Sequence, residues 1–244
     1  MKIRHQGTQQ GYNAQAVVDS KNQIIVEEEV INKPTDNHEL TEMIEEAQKN
    51  TGKESKETLA DRGYYSPEEI VKAETSGRKI IINIPDADKG RKYNKAMFKF
   101  DAERNRYICP EGKVLEYCCE KQKTKTRSNV LVYRCKNHML CESSKECSKS
   151  KSGRTVENTK EEALINRYKE QEKKENWKEK LKERGKIIEP VFGCIKWAMG
   201  IRRFTVRGLE NVKEQWSFIC SAYNLKKIYG FWLNGKVKLK IVGA

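Results

Sequence analysis

Two carboxylates and a cysteine cluster are the residues of this chain whose types and spacing could do chemistry. Glu189 opens the stretch "EPVFGCIKWAMGIRRFTVRG", and Lys196, Arg202, Arg203 and Arg207 follow it with no further acid before Gly208. Pro190 cannot donate an i to i−4 hydrogen bond, so a helix is predicted to start or kink there, leaving Glu189 at or near its N-terminal end. The helix dipole at that end would keep Glu189 ionised, as a ligand of a hard cation must be. Lys196, seven residues on, projects from nearly the same helical face two turns away. A metal-binding carboxylate and a cation on one face suit a phosphodiester substrate. Asp61 is the second acid, in "TLADRGYYSPEEIVKAE", where it closes a short predicted strand. The third group is soft: Cys135, Cys141 and Cys147 are separated by five residues each, with His138 three before Cys141 and Cys109 lying 26 residues ahead of Cys135. Four such ligands drawn from two loops suit a tetrahedral structural zinc ion. The choice between Cys135 and His138 stays open, and Cys118 and Cys119 are weaker candidates. Cys194 and Cys220 fall on apolar helix faces and are expected in the core.

The composition narrows the partner. Lys plus Arg number 49 against 35 Asp plus Glu, a formal charge of +14 over 244 residues, which points to a polyanion, nucleic acid first. No apolar run approaches the roughly 20 residues of a membrane span, and "MKIRHQGTQQG" lacks the apolar block of a signal peptide. An intracellular, cytoplasmic protein associated with the nucleoid is expected, with no membrane partner. In a reducing compartment the eight cysteines are poor candidates for disulfides, which is why their cluster is read as metal ligands.

The elements that must position these residues are partly legible. "YNAQAVVDS" and "QIIVEEEVI" read as a β-hairpin with Asp19, Lys21 and Asn22 near its tip. Leu40, Met43, Ile44 and Ala47 recur at the spacing of one helical face. "TLAD" reads as a buried strand, then a glycine turn, then a helix opened by Ser66, Pro67 and Glu69 as a capping box. "KIIINIP" supplies another buried strand, and strand alternating with helix predicts an α/β fold. Residues 107–155 hold six of the eight cysteines among lysines and serines, with little periodicity and little core of their own. Residues 156–184 read as a long solvated helix. Leu209, Val212, Trp216, Ile219, Cys220 and Tyr223 form an apolar stripe able to dock on the sheet.

Six stretches in one order, "GYNAQAVVDSKNQIIV", "LADRGYYSPEEI", "YICPEGKVL", "IIEPVFGCIKW", "RRFTVRGLENVKEQW" and "AYNLKKI", resemble the C-terminal two-thirds of a bacterial insertion-sequence transposase with a DDE catalytic domain. The resemblance implies an RNase H-like mixed sheet flanked by helices. Residues 1–106 would be its core without the first strand, 107–155 an inserted cysteine-rich zinc-binding module, and 156–244 the C-terminal helical part. It implies three carboxylates holding two Mg²⁺ or Mn²⁺ ions for phosphodiester cleavage and strand transfer. Asp61 matches the second aspartate, Glu189 the glutamate, and Lys196 the basic residue expected to touch DNA phosphate. Arg202, Arg203 and Arg207 are further DNA contacts, transposon ends and target DNA the partners, and a homodimer the assembly implied for strand transfer.

Two departures from that pattern carry expectations of their own. Related transposases place an arginine and a tyrosine four and seven residues before the glutamate, where this chain has Gly185 and Lys182; Arg184 is the stand-in. The first aspartate of the pattern lies upstream of the hairpin, and the eleven residues before Tyr12 hold no acid. Asp19 falls in the turn and is read as a turn residue. The chain is therefore expected to be a truncated or split transposase, the alternative being an inactive, transposase-derived, zinc-stabilised DNA-binding protein.

Overall fold

In a computed structural model of the chain the described residues are 2–3, 7–8, 11–84, 92–101, 103–122, 129–150, 152–159, 165, 168, 171 and 175–237. They divide into two compact units, one formed by residues 1–83 with 172–244 and the other by 84–171.

The first unit is built on the predicted hairpin, β3 (Asn13–Val18) and β4 (Ile25–Ile31), antiparallel from Asn13 opposite Ile31 to Val18 opposite Ile25. A short pair, β1 (Lys2–Ile3) with β2 (Gly7–Thr8), precedes it. The Asp19 carboxylate accepts the Asn22 amide at 2.7 Å, so Asp19 serves the turn, as expected of it. Helix α1 (Leu40–Thr51) buries Leu40, Met43, Ile44 and Ala47, the predicted face. Strands β5 (Thr58–Ala60) and β6 (Ile80–Ile82) run parallel, joined by α2 (Pro67–Thr75). All three isoleucines of β6 are fully buried, the mark of a strand covered on both faces.

The architecture is mixed α/β, but one continuous mixed sheet does not form among the described residues. There β3 pairs with β4 alone and β5 with β6 alone, so each of β3 and β5 keeps one edge without a strand partner. Packed helices cover these pairs instead: α1 lies on β4 and β3, α4 (Trp177–Gly193) on β5 and β6, and α5 (Leu209–Leu233) on β4. The stripe predicted on α5 buries Val212, Trp216, Ile219, Cys220 and Tyr223 into a core shared with Ile25, Val30, Val191 and Ile195. The Trp216 indole N–H donates to the Gln15 carbonyl at 2.9 Å, while its ring stacks on Phe192 and meets Phe204 edge-on. Asn224 grips the Ile25 backbone from both sides, accepting its N–H at 2.9 Å and donating to its carbonyl at 2.8 Å.

Three local expectations fail, each for a physical reason. Helix α4 runs through Pro190 rather than beginning there, and continues past Gly193 as a π-helical turn, Cys194–Ala198. The carbonyl left without its i+4 donor is that of Lys186. Gln23, at the hairpin turn, donates its side-chain amide to that carbonyl at 3.2 Å, with the Ile187 carbonyl at 3.4 Å. A side chain distant in sequence thus replaces the bond that proline removes, and the helix is not broken. The Ser66 capping box also does not form. Ser66 turns to Glu68, while Glu69, fully buried, bonds the amide and hydroxyl of Thr41 in the first turn of α1. Last, the single solvated helix over 156–184 begins instead as a strand, β11 (Thr155–Asn158); positions 165, 168 and 171 are helical and α4 starts at Trp177, but Ile165, Tyr168 and Trp177 are buried. Positions 160–164, 166, 167, 169, 170 and 172–174 of that stretch lie outside the described residues.

The second unit carries a five-stranded antiparallel sheet in the order β11-β10-β9-β8-β7: β7 (Lys99–Asp101), β8 (Arg106–Ile108), β9 (Val114–Gln122), β10 (Asn129–Cys135) and β11. It has the core that its lysines and serines concealed: Tyr93, Phe98, Tyr107, Leu115, Tyr133, Cys135 and Val156. Tyr107 and Tyr133 meet edge-on at 5.1 Å, a favoured aromatic geometry.

The Gln23 bridge yields a test. Gln23→Ala should destabilise the fold by about 1 kcal/mol. In a Pro190→Ala background, where residue 190 can itself donate to Lys186, the same change should cost less; equal costs in denaturant unfolding of both pairs would refute the bridge.

Candidate functional site

Asp61 leaves β5 in extended conformation and caps the 3₁₀ turn Arg62–Tyr64, its carboxylate accepting the Arg62 amide at 2.8 Å. That carboxylate is 60% exposed, and the Arg184 guanidinium of α4 stands 3.5 Å away. The stand-in expected at Arg184 therefore faces Asp61. Glu189 is exposed on the same helix, one turn further along. Its carboxylate folds back toward Gly185, where an added Cβ would lie 3.2 Å from Oε1. The glycine that departs from the family pattern thus leaves room for the glutamate head group. Arg184 and Gly185 are sequence neighbours on α4, one beside the Asp61 carboxylate and the other beside that of Glu189. Because α4 passes through Pro190, Glu189 lies toward the carboxyl end of the α-helical segment, and the stabilisation expected from a helix N-terminus is absent.

A third carboxylate, which the sequence reading did not single out, supports the Asp61 loop. Asp36 accepts from the side-chain amides of Asn13 and Gln15, the latter at 3.0 Å, and so ties the loop before α1 to β3. Its other oxygen lies where a Cβ on Gly63 would come within 2.5 Å, so only glycine fits two residues after Asp61. Tyr64 lies between these groups: burial pushes its phenol up, the Asp36 and Asp61 charges add to that, and Arg184 offsets part. The signal available in sequence was the pair Asn13 and Gln15, two amides on one face of a strand that need an acceptor once buried.

The predicted DNA contacts stand on the surface that follows Glu189. Lys196 lies within the π-helical turn with its ammonium 5.7 Å from the Phe192 ring centre. That wider turn shifts it from the face an uninterrupted α-helix would give it. Arg202, Arg203 and Arg207 are exposed, and the Arg202 guanidinium lies 4.1 Å over the Trp197 ring, which is 71% exposed. A large exposed aromatic among cations offers a stacking face as well as charge.

In the second unit the connections place the cysteines at one end of the sheet. Cys109 opens the β8–β9 turn, Cys135 ends β10 opposite Leu115, and Cys141 and Cys147 follow in the long connection to β11. Together with His138 these four line one small cavity of about 20 Å³. Cys118 and Cys119 lie along β9 and do not line it. Among the described residues no three His, Cys, Asp or Glu side chains stand in a ready-made metal-binding group, here or around Asp61 and Glu189. No helix among the described residues is long and apolar enough to cross a membrane.

A mixed α/β unit thus carries the two acids on adjoining elements, with an exposed basic and aromatic surface following Glu189. A family model, transposase DDE domain, matches residues 108–229, and the chain belongs to that family. The matched half takes in Glu189, Lys196, the three arginines and the cavity cysteines, and leaves Asp61 outside it. No curated protein and no solved structure matches the chain.

The glycine contacts separate two substitutions. Gly63→Ala should cost about 1–3 kcal/mol, because the Asp36 carboxylate must be displaced from its amides. Gly193→Ala, in helical conformation with open space around it, should be neutral or stabilising. Equal unfolding midpoints for these two variants would remove the packing assigned to Asp36.

Proposed function

We propose that this chain performs the DNA chemistry of transposition, metal-dependent strand cleavage and transfer at transposon ends and target DNA, with Asp61 and Glu189 as its catalytic carboxylates. What supports the reading is that Arg184 of α4 stands against Asp61 while its neighbour Gly185 leaves room for Glu189. The donor set fits Mg²⁺ or Mn²⁺ in kind: hard, solvent-reached carboxylate oxygens with no soft ligand among them. Such ions, held by Asp61 and Glu189, would activate water or a 3′-hydroxyl and stabilise the leaving oxygen. The chain's own residues supply the rest. Arg184 orients the Asp61 carboxylate, and Asp36 and Gly63 fix the loop beneath it. Lys196, Arg202, Arg203 and Arg207 bind phosphate without reading sequence, and Trp197 adds a stacking face. Strand transfer at two ends calls for two protomers on DNA, and such work places the protein in the nucleoid. The cysteine-rich unit supports the fold in this reading, with zinc as the metal its thiols suit.

One observation favours a second reading, a DNA-binding protein of transposase descent without cleavage. Among the described residues no group of three His, Cys, Asp or Glu able to hold a metal includes Asp61 or Glu189. Cleavage of a supercoiled plasmid carrying the DNA that flanks the protein's own gene decides between the two. Mn²⁺-dependent nicking that falls by at least about 100-fold in both Asp61→Asn and Glu189→Gln upholds the catalytic reading. Absence of nicking in the parent, with DNA affinity untouched in both variants, upholds the second.

The phosphate contacts have their own measure. Arg203→Ala and Arg207→Ala should each weaken duplex binding evenly across sequences and lower the slope of log affinity against log salt by about 1. An unchanged slope in both would remove this surface from the interface.

A further inference from the structure

Resting on the reading of the second unit as zinc-supported, we infer that its ion is held by four thiolates, Cys109, Cys135, Cys141 and Cys147, with His138 outside the ligand set. Topology carries the first part. The β8–β9 turn and the end of β10 lie side by side, because Cys135 pairs opposite Leu115, and the connection bearing Cys141 and Cys147 folds over them. The Cys109 turn has the form of a metal knuckle. Gly112 takes a left-handed φ of 71°, the Gly112 amide bonds the Cys109 carbonyl at 2.9 Å, and the Lys113 amide reaches the Cys109 sulfur at 3.2 Å. A backbone amide, that of Asn137, also bonds the Cys135 sulfur. Backbone amides aimed at sulfur are the outer donors that orient a metal-bound cysteine.

Charge separates four thiolates from three with a histidine. Zn²⁺ with four thiolates carries a net charge of −2, and two cations, Lys113 and the buried Arg154, line the same cavity as the four sulfurs. His138 belongs to the cavity wall. Gly153, at φ 90°, packs so closely that a Cβ there would lie 3.0 Å from the His138 Cβ and 2.6 Å from the Cys135 carbonyl oxygen. The sulfurs do not stand as a ready-made ligand set. Binding therefore requires side-chain rotation, and Cys109, Cys141 and Cys147 are only half-buried and can turn toward the buried Cys135.

The full chain, purified without chelator, should contain one zinc ion. Loss of that metal on denaturation should free four thiols that were protected from alkylation in the native protein, and mass spectrometry should locate them at positions 109, 135, 141 and 147. Cobalt substitution should give the visible bands of a tetrahedral thiolate site. His138→Ala and Cys118→Ala should keep full metal content, and Cys141→Ser and Cys147→Ser should lose it. A parent without zinc, and without cobalt bands after loading, overturns the zinc reading itself. Zinc present but lost in His138→Ala, or protection falling on a different set of cysteines, overturns only the ligand assignment. The alkylation map is read on the parent, so it decides even where a serine variant fails to fold.

Discussion

A proline inside a helix is tolerated here because another part of the chain supplies the missing hydrogen bond, and the geometry of the candidate site follows from that substitution. Pro190 leaves the Lys186 carbonyl without its helical donor, and Gln23 provides one from the hairpin turn. The same residue accepts the Lys227 ammonium at 3.0 Å on its side chain and the Tyr223 hydroxyl at 3.0 Å on its carbonyl. One glutamine thereby joins the hairpin, the helix bearing Glu189 and the C-terminal helix. Each bond is worth on the order of 1 kcal/mol net, too little to hold a fold. What the cluster decides is register, since α4 can lie on the first unit with Lys186 toward Gln23 in only one rotation, and that rotation sets where Arg184, Gly185 and Glu189 face.

The beginning of the same helix is fixed differently. Trp177 is fully buried, and Lys79, Glu57, Glu175 and Lys180 form a chain of ion pairs between the start of α4 and the strands beside it. Exposed pairs of this kind contribute little energy singly and matter as a network and for orientation. Buried tryptophan at one end and the Gln23 cluster at the other leave α4 little freedom to slide. The ion pair between Arg184 and Asp61 is then the consequence of a helix already positioned, at 3.5 Å and in contact with solvent. A water-accessible pair of that kind is readily exchanged for another ionic partner, as the proposed function requires.

Much of this was legible in sequence where local pattern and tertiary context agree. The hairpin, the buried face of α1, the strand that ends at Asp61, and the apolar stripe of α5 all follow from periodicity and turn chemistry. Legibility ended where a distant partner decided the outcome. Pro190 reads as a helix start or kink because its rescuer lies 167 positions earlier in the chain, at Gln23. Ser66 and Glu69 satisfy the pattern of a capping box, yet Glu69 caps α1 instead, since full burial of its carboxylate demands donors and the Thr41 amide and hydroxyl are the donors at hand. Nothing local marks Asp36, because its role is written in Asn13 and Gln15. The aromatic core of the second unit was masked by charge density: Tyr107, Tyr133 and Phe98 are spaced among lysines and arginines, and single aromatics on short strands leave weak periodic signal.

The two units also differ in how they meet the cost of ordering. The first gathers a broad apolar core around Trp216 and Tyr223 and spends polar groups on its edges. The second has a smaller, tyrosine-rich core and a long connection, residues 136–154, whose lysines and serines bury little. A segment of that composition cannot offset its conformational entropy by burial alone. Its backbone is held by successive tight turns, Cys141 to His138, Ser144 to Cys141 and Cys147 to Ser143, each with a cysteine or its neighbour at the corner. Turns of this kind are marginal in isolation, and they bring sulfur after sulfur toward one cavity. A metal ion bound there would lend the connection the stability its composition withholds, which makes the ion part of the folding problem of the second unit and separate from the strand chemistry assigned to the first.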